Sequence, residues 1–377
     1  MKRAILPHFF RDLHRVYPMR FLCLMKWHIL ANIGRTLLFS LLPLAVLLLA
    51  IEIGVRVASI DVRSKSRQFP INQDIDFPEI YKLDYGLFWR FRPNQEIASK
   101  VFSVATYRIN SRGFRGDEPR PDAACRIVAL GNSCSFGWAV REQYIWTTVL
   151  ESMLNETQNG TDYDVINAGV PGYSSHQGRI LCSELLSDLK PQYLCIMFGW
   201  NDHWTAGDAG ADRDIQMPSS FTLSVLNVLM PFKSFQLFQK LAETSDEPAR
   251  DITINTIDGA RRVPIEQFRE NLDDLVDSAQ AYGATPLLII PPIAPESVTT
   301  SALQRLHRQY EQIIREVAEA RKVTCVDLQS AFDSTGDLFP GKQDPVHFGV
   351  EGHRLVAGIL YDVITEMRKG SDSTSFR

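Results

Sequence analysis

Between residues 124 and 368, short continuous apolar runs alternate with longer amphipathic stretches. The runs at 126–130, 164–167, 193–198, 285–290 and 323–327 are rich in Val, Ile and Leu, which predicts strands buried on both faces. Helical periodicity at 143–155, 176–189, 265–282, 302–321 and 349–368 predicts helices beside them. Buried strands joined by amphipathic helices imply right-handed crossovers and a three-layer α/β fold on a mainly parallel, five-stranded sheet.

The flanking regions follow other patterns. Residues 1–35 carry Lys2, Arg3, Arg11, Arg15, Arg20, Lys26 and Arg35 against the single acid Asp12. Leu37 to Ile51 is free of charge, and extending it from Ile33 to about Ile53 reaches the ~20 residues that cross a bilayer core. Arg35 and Glu52 then fall at the interfaces, where the arginine snorkels. A cleaved signal peptide is a rival, but the basic region is too long for one and Arg56 spoils the small-x-small pattern before Ser59. Cys23 precedes the apolar run, so it is not a lipoprotein acylation site. A buried helix of a soluble protein is the other rival. We read the segment as a single-pass anchor. The excess of Lys and Arg places the N-terminus in the cytoplasm and the rest outside, in the periplasm if the cell is Gram-negative.

The expected organisation is a basic cytoplasmic segment at 1–35, a transmembrane helix at 36–58, a connector with a small β appendage at 59–123, the main domain at 124–369 and a disordered tail at 370–377. Gly86 to Arg92 and Val101 to Ile109 partly alternate apolar and polar positions, as half-exposed antiparallel strands do. Residues 203–262 are too long for a simple connection and read as a cap-like insertion. Its apolar centre, Phe221 to Phe238, is either a helix packed on the core or a lid or membrane-facing patch.

Composition excludes more than it identifies. Apolar residues make up 45% and charged residues 22%, ordinary for a folded protein, and a net charge of -4 gives no electrostatic case for nucleic acid. The six cysteines, Cys23, Cys125, Cys134, Cys182, Cys195 and Cys325, show no CxxC or Cys/His spacing, so no zinc site is expected. No metal and no organic cofactor is implied.

Candidate chemistry gathers where strands end. After the first strand comes Gly131-Asn132-Ser133-Cys134-Ser135-Phe136-Gly137, which would present Ser133 at the carboxyl edge of the sheet. A serine hydroxyl needs a base to take its proton, and the base needs orienting. Asp344-Pro345-Val346-His347 offers such a pair, three residues apart so that one turn can hold both side chains. A developing oxyanion needs donors. Asn167 to Ser174, with Gly169 and Gly172, and Gly199-Trp200-Asn201-Asp202 supply backbone N–H groups and the Asn201 amide at the same rim. Ser135 stands where a Gly-x-Ser-x-Gly elbow has its second glycine, and neither a P-loop nor a dinucleotide fingerprint is present. Cys134 would point away from Ser133. His176, His203 and His353 read as structural or surface residues, with His203 close enough to the Asn201 loop to touch substrate.

Together these blocks resemble the SGNH (GDSL-type) hydrolases, over roughly residues 124–368: Gly131-Asn132-Ser133, Gly172, Gly199-x-Asn201-Asp202 and Asp344-x-x-His347, in that order. Arg108 to Gly116 also looks like the lead-in of membrane-anchored bacterial members. The resemblance implies a flavodoxin-like sheet, Ser133 as nucleophile, and His347 as base oriented by Asp344. It further implies an oxyanion hole from the Ser133 and Gly172 N–H groups and the Asn201 side chain. One position departs, since the family usually has Gly-Asp-Ser where this chain has Asn132. The expectation is a membrane-anchored, extracytoplasmic serine esterase acting on an ester-bearing small molecule, lipid or glycan. The alternatives are an O-acyltransferase of a cell-envelope polysaccharide and a catalytically silent glycan-binding envelope protein.

Overall fold

The computed structural model of the chain describes residues 39–60, 62, 80–98, 106–157, 160–206, 210–242, 259–295, 297, 299–335, 338–339 and 344–374. The basic segment, the first residues of the expected span, much of the connector and 375–377 lie outside the described residues. Helix α1 is Phe39–Val57. The appendage strands β1 (Tyr81–Asp84), β2 (Phe88–Phe91), β3 (Gln95–Ala98) and β4 (Thr106–Ile109) follow, then β5 (Cys125–Gly131), α2 (Ser133–Phe136), α3 (Trp146–Thr157) and β6 (Tyr163–Asn167). Next come α4 (Ser175–Leu189), β7 (Tyr193–Met197), α5 (Ser220–Leu229), α6 (Lys233–Ala242), α7 (Ile265–Ala281) and β8 (Thr285–Ile290). The chain closes with α8 (Ser301–Arg321), β9 (Thr324–Asp327), α9 (Leu328–Thr335) and α10 (Val350–Thr374). The last helix thus continues past residue 369, where the domain was expected to end.

The chain forms two compact units. One comprises Met1–Lys65 with Met230–Ser245, the other Ser66–Leu229 with Asp246–Arg377. The long insertion is therefore divided between them, α5 in the second unit and α6 in the first.

In the larger unit, five parallel strands lie in the order β6-β5-β7-β8-β9. This is the flavodoxin-like arrangement, with the strand order reversing between β5 and β7. Residue alternation along each strand feeds two separate cores. Val128 and Leu130 of β5, Leu194 and Ile196 of β7, and Leu288 and Ile290 of β8 face one core, where α4, α7 and α8 pack. Ile127, Ala129, Cys195, Met197, Leu287 and Ile289 face the other, against α3, α9 and α10. Burial on both faces is why these strands read as unbroken apolar runs.

The appendage is two antiparallel pairs, β1 with β2 and β3 with β4. Strands β2 and β4 fall within the expected stretches, whereas β1 and β3 are four-residue strands with little apolar signal. The hairpin partners join the sheet through Arg115, whose N–H donates to the Asn167 carbonyl at the end of β6. The insertion closes on itself at its root. Thr205 bridges Arg261, Arg262 N–H donates to Trp204 O at 2.8 Å, and Val263 N–H to Asp202 O at 2.9 Å. Its 60-residue detour therefore leaves the sheet undisturbed. Helix α5 is fastened to the appendage, because the Asn227 side chain accepts from Leu83 N–H (2.6 Å) and donates to Leu83 O (2.8 Å).

Helix α4 lies close to the sheet because Gly178 admits the ring of Phe198, just past β7; a Cβ there would meet Phe198 Cζ at 2.2 Å. Gly178→Ala should lower unfolding stability by about 1–3 kcal/mol through overpacking. Gly358→Ala in α10, where a Cβ meets nothing within 4 Å, should instead raise it by up to about 1 kcal/mol through helix propensity. Urea unfolding of the two variants checks both signs.

Candidate active site

β5 ends at Gly131 and α2 starts at Ser133, which puts the serine at the carboxyl edge of the sheet. Asn132 caps the short helix, its Oδ1 accepting from Cys134 N–H at 2.9 Å. The turn beyond is held by buried Arg115. Its Nη1 donates to Phe136 O and Gly137 O at 2.6 Å each, and Nη2 donates to Val140 O at 2.5 Å. The same guanidinium lies 4.8 and 4.7 Å from the Tyr107 and Phe136 ring centroids. Asn167 Nδ2 adds a bond to Ser135 O at 2.9 Å.

Asp344 and His347 occupy the turn that leads into α10. Asp344 Oδ1 accepts from the N–H groups of Val346 and His347, both at 3.0 Å, closing the turn on itself. Its Oδ2 lies 2.8 Å from His347 Nδ1. One carboxylate thus shapes the loop and orients the ring. His347 Nε2 in turn lies 2.8 Å from Ser133 Oγ, across 214 residues of sequence. Burial pushes the Asp344 carboxyl up, but the hydrogen bond and charge of His347 and the two N–H donors outweigh it and hold the group below the usual carboxylate range. With the proton on Nδ1 facing Asp344, Nε2 is free to accept the serine proton. Such a chain can generate an alkoxide nucleophile.

The loop after β6 is tied to the Ser133 turn by Val170 N–H donating to Gly131 O at 3.0 Å. Gly172 has φ +83°, and its N–H makes no hydrogen bond among the described residues. Asn201 Nδ2 donates to Tyr173 O at 2.9 Å, which links the third loop to the second and leaves one amide hydrogen over. Four of the five residues singled out in the sequence therefore sit on loops and the fifth, Ser133, opens the short α2, and three of them form one hydrogen-bonded chain.

Several supporting residues carried no readable signal. Asp202, quoted in the third block but given no role, is fully buried and accepts from Gly199 N–H (2.9 Å) and Ser175 N–H (2.8 Å). Arg262 and Asp212 form a buried pair, with Nε to Oδ1 at 3.0 Å and Nη2 to Oδ2 at 2.8 Å. Arg262 Nη1 also donates to Gly172 O at 2.8 Å and Nη2 to Gln177 Oε1 at 3.0 Å, while Ser174 Oγ donates to Asp212 at 2.6 Å. The root of the insertion thereby clamps the Gly172 loop and the start of α4.

Three sequence expectations are settled by burial. His203 cannot touch substrate: the turn directs it inward, where Nε2 lies 3.1 Å from His307 Nδ1, and burial and His307 hold its pKa well below the ordinary value. His353 is structural, its Nδ1 accepting from Trp146 N–H at 3.2 Å. Cys134 points to Val346 O at 3.5 Å, away from Ser133, and burial pushes its thiol far up. Among the described residues no group of three His, Cys, Asp or Glu side chains is arranged to hold a metal ion.

The parallel sheet thus carries a serine, a histidine and an aspartate joined at its carboxyl edge. Residues 251–355, which include Arg262, Asp344 and His347, match the GDSL-like Lipase/Acylhydrolase family. Over those residues the chain is similar to this family. Among curated proteins it is similar to the uncharacterized lipoprotein YqeF of Bacillus subtilis (strain 168), with 23% identity over 223 residues, 53% of this chain and 69% of the relative. Among solved structures it is similar to a lipase/acylhydrolase from Enterococcus faecalis, at 19% identity and TM-score 0.42, over 64% of this chain and 96% of the other. The psychrotrophic esterase EstA from Pseudoalteromonas sp. matches at 17% and 0.43, over 65% and 98%. The acetylxylan esterase Axe2 from Geobacillus stearothermophilus, as a catalytic mutant, matches at 16% and 0.43, over 63% and 93%.

Two outcomes follow from the supporting residues. Arg262→Met strands the buried Asp212 carboxylate and should cost about 3–5 kcal/mol of stability; adding Asp212→Asn should recover part of it, as a urea double-mutant cycle would show. Burial raises the Asp202 pKa from 3.8 to about 6. Its contribution to stability is therefore full below the lower value and is lost as pH rises through about 6. Asp202→Asn should lack that slope, and should also be less stable throughout because its NH₂ faces an N–H donor. The difference between the two urea unfolding curves from pH 4 to 7 tests this.

Proposed function

We propose that this chain is a membrane-anchored, extracytoplasmic serine esterase in which Ser133 attacks the ester carbonyl carbon. The observation that carries the proposal is the unbroken path from Asp344 Oδ2 through the His347 ring to Ser133 Oγ, 2.8 Å at each step. As the Ser133 Oγ–carbon bond forms, the hydroxyl proton passes to His347 Nε2 and the carbonyl oxygen becomes an oxyanion. Asp344 stabilises the imidazolium without taking the proton. The Ser133 and Gly172 N–H groups and the remaining Asn201 amide hydrogen receive the oxyanion. Collapse breaks the ester C–O bond, and the departing alcohol takes the proton from Nε2. Water then repeats the sequence on the acyl-serine, with His347 again as base, releasing the acid and restoring Ser133.

Asn132 supports an active rather than a silent site. The cap uses one side-chain oxygen, and Asn supplies it as well as Asp does. Helix α1 supports the anchor: it is 19 residues long, with mean hydropathy 2.1 and a mostly exposed apolar surface. The candidate substrates are O-acyl groups on glycans or lipids.

Ser133→Ala should abolish both hydrolysis of a small aryl ester and labelling by a fluorophosphonate, with unchanged urea unfolding. Asn201→Ala should lower kcat by about 10²–10³-fold as one oxyanion donor is lost. Undiminished ester hydrolysis by the Ser133→Ala protein would overturn the assignment.

A further inference from the structure

We infer that α6 is an interfacial helix that lays its apolar side in a lipid bilayer next to the outer end of α1. The inference rests on the membrane-anchored reading of α1 and adds a second contact with the membrane.

Helix α1 and helix α6 belong to the same compact unit. Nineteen helical residues at 1.5 Å each give α1 a length of about 28 Å, close to the ~30 Å of a bilayer core. Its side chains stand outward with little protein around them, Leu47 and Ile53 among them. Near its C-terminal end, Glu52 Oε1 accepts from Arg56 Nε at 2.7 Å, and Glu52 Oε2 accepts from the Ser234 N–H at 2.8 Å. The second bond satisfies a free N–H in the first turn of α6, where a carboxylate also suits the helix dipole. Arg56 Nη2 adds a bond to Pro231 O at 3.5 Å. Glu52 precedes the end of α1 at Val57 by one and a half turns, or about 7–8 Å. The start of α6 is therefore held at the depth where acyl chains give way to headgroups.

The pattern of α6 is amphipathic. Phe235, Leu237, Phe238 and Leu241 fall on one side of the helix, and Lys233, Gln236, Gln239 and Lys240 on the other. In water such a helix turns its apolar side to the protein. α6 departs from this in part: Phe235 and Leu237 are partly buried and Gln239 is exposed, but a glutamine is buried while two large apolar side chains are not. Gln236 is only 8% exposed, its Nε2 donating to Met230 O at 2.8 Å and its Oε1 accepting from Lys233 Nζ at 3.3 Å. Phe238 is 67% exposed and Leu241 75%, with Phe232 at 49% just before the helix. A helix that buries Gln236 and exposes Phe238 and Leu241 fits an apolar medium outside it. That medium is the one α1 requires, and the hydrogen bond at Glu52 brings α6 to it.

Helix α5, within the other unit, also exposes apolar side chains. Leu223 and Asn227 hold it to the body, while Phe221, Val225 and Val228 line its exposed side.

The test places nitroxide labels on the full chain in phosphatidylcholine–phosphatidylglycerol vesicles, one each at Phe238→Cys, Gln239→Cys and Leu48→Cys. The labelled unaltered chain serves to subtract signal from its own cysteines. Collisions with oxygen, which partitions into lipid, are compared with collisions with a water-soluble nickel chelate. The oxygen-to-nickel ratio should be several-fold higher at 238 than at 239, and higher still at 48. Equal ratios at 238 and 239, with 48 lipid-exposed, would place α6 in water and overturn the inference alone. Suppressed collisions with both reagents at 238, together with dipolar broadening, would mean that a second copy covers the face, and would also overturn it. Free access of nickel to 48 would remove the anchor itself and the inference with it.

Discussion

The parallel register of β5 against β7 is the constraint on which the site depends. Gly131 pairs with Met197, so the two strands end level and their loops leave in opposite directions, opening a crevice between them. Ser133 and Asn201 follow closely on those two strand ends. The register is itself fixed by the two cores, because a one-residue slip of β5 would exchange Val128 and Leu130 for Ile127 and Ala129 against the wrong helices. Side-chain alternation thus sets the site to within the pleat of a strand.

His347 arrives from further away, since β9 lies at the far edge of the sheet and two strands separate it from β5. The His347 loop is drawn back by contacts with its neighbours. Ala294 N–H, on the loop after β8, donates to Pro345 O at 3.0 Å, and Gly349 N–H donates to Leu338 O at 2.8 Å. Cys134, adjacent to the serine, reaches Val346 O. The Asp344 turn supplies the last adjustment by fixing ring orientation locally. Long-range placement and local orientation are therefore separate tasks, done by different residues.

That separation explains what the sequence made legible. β5, β7 and β8 are buried on both faces and stand out as apolar runs, so their bounds are matched to within a residue. Asp344 and His347 are legible because a three-residue turn joins them. Arg262 and Asp212 are not, because fifty residues separate them and a charged pair looks the same in sequence whether solvated or buried. His203 follows a polar, Gly-containing loop and reads as accessible, although the turn buries it under Trp200, 5.2 Å between ring centroids. The apolar periodicity of α5 and α6 fixes which side is apolar and says nothing about what that side faces.

Asn132 shows how the departure from the usual Gly-Asp-Ser is accommodated. An aspartate at the start of a helix gains about 0.3–1 kcal/mol from the helix dipole. That gain is small for α2, which is a single turn of four residues. The capping bond to Cys134 needs one acceptor oxygen, which asparagine keeps. Its Nδ2 is buried without a partner among the described residues, and an unmatched donor costs about 1–3 kcal/mol. Arg115 and Asn167 hold the turn against that cost through four carbonyls, those of Ser135, Phe136, Gly137 and Val140. The Ser133 loop is thus kept in shape from outside by residues of the lead-in and of β6, and the identity of residue 132 matters less to Ser133 than its place in the motif suggests.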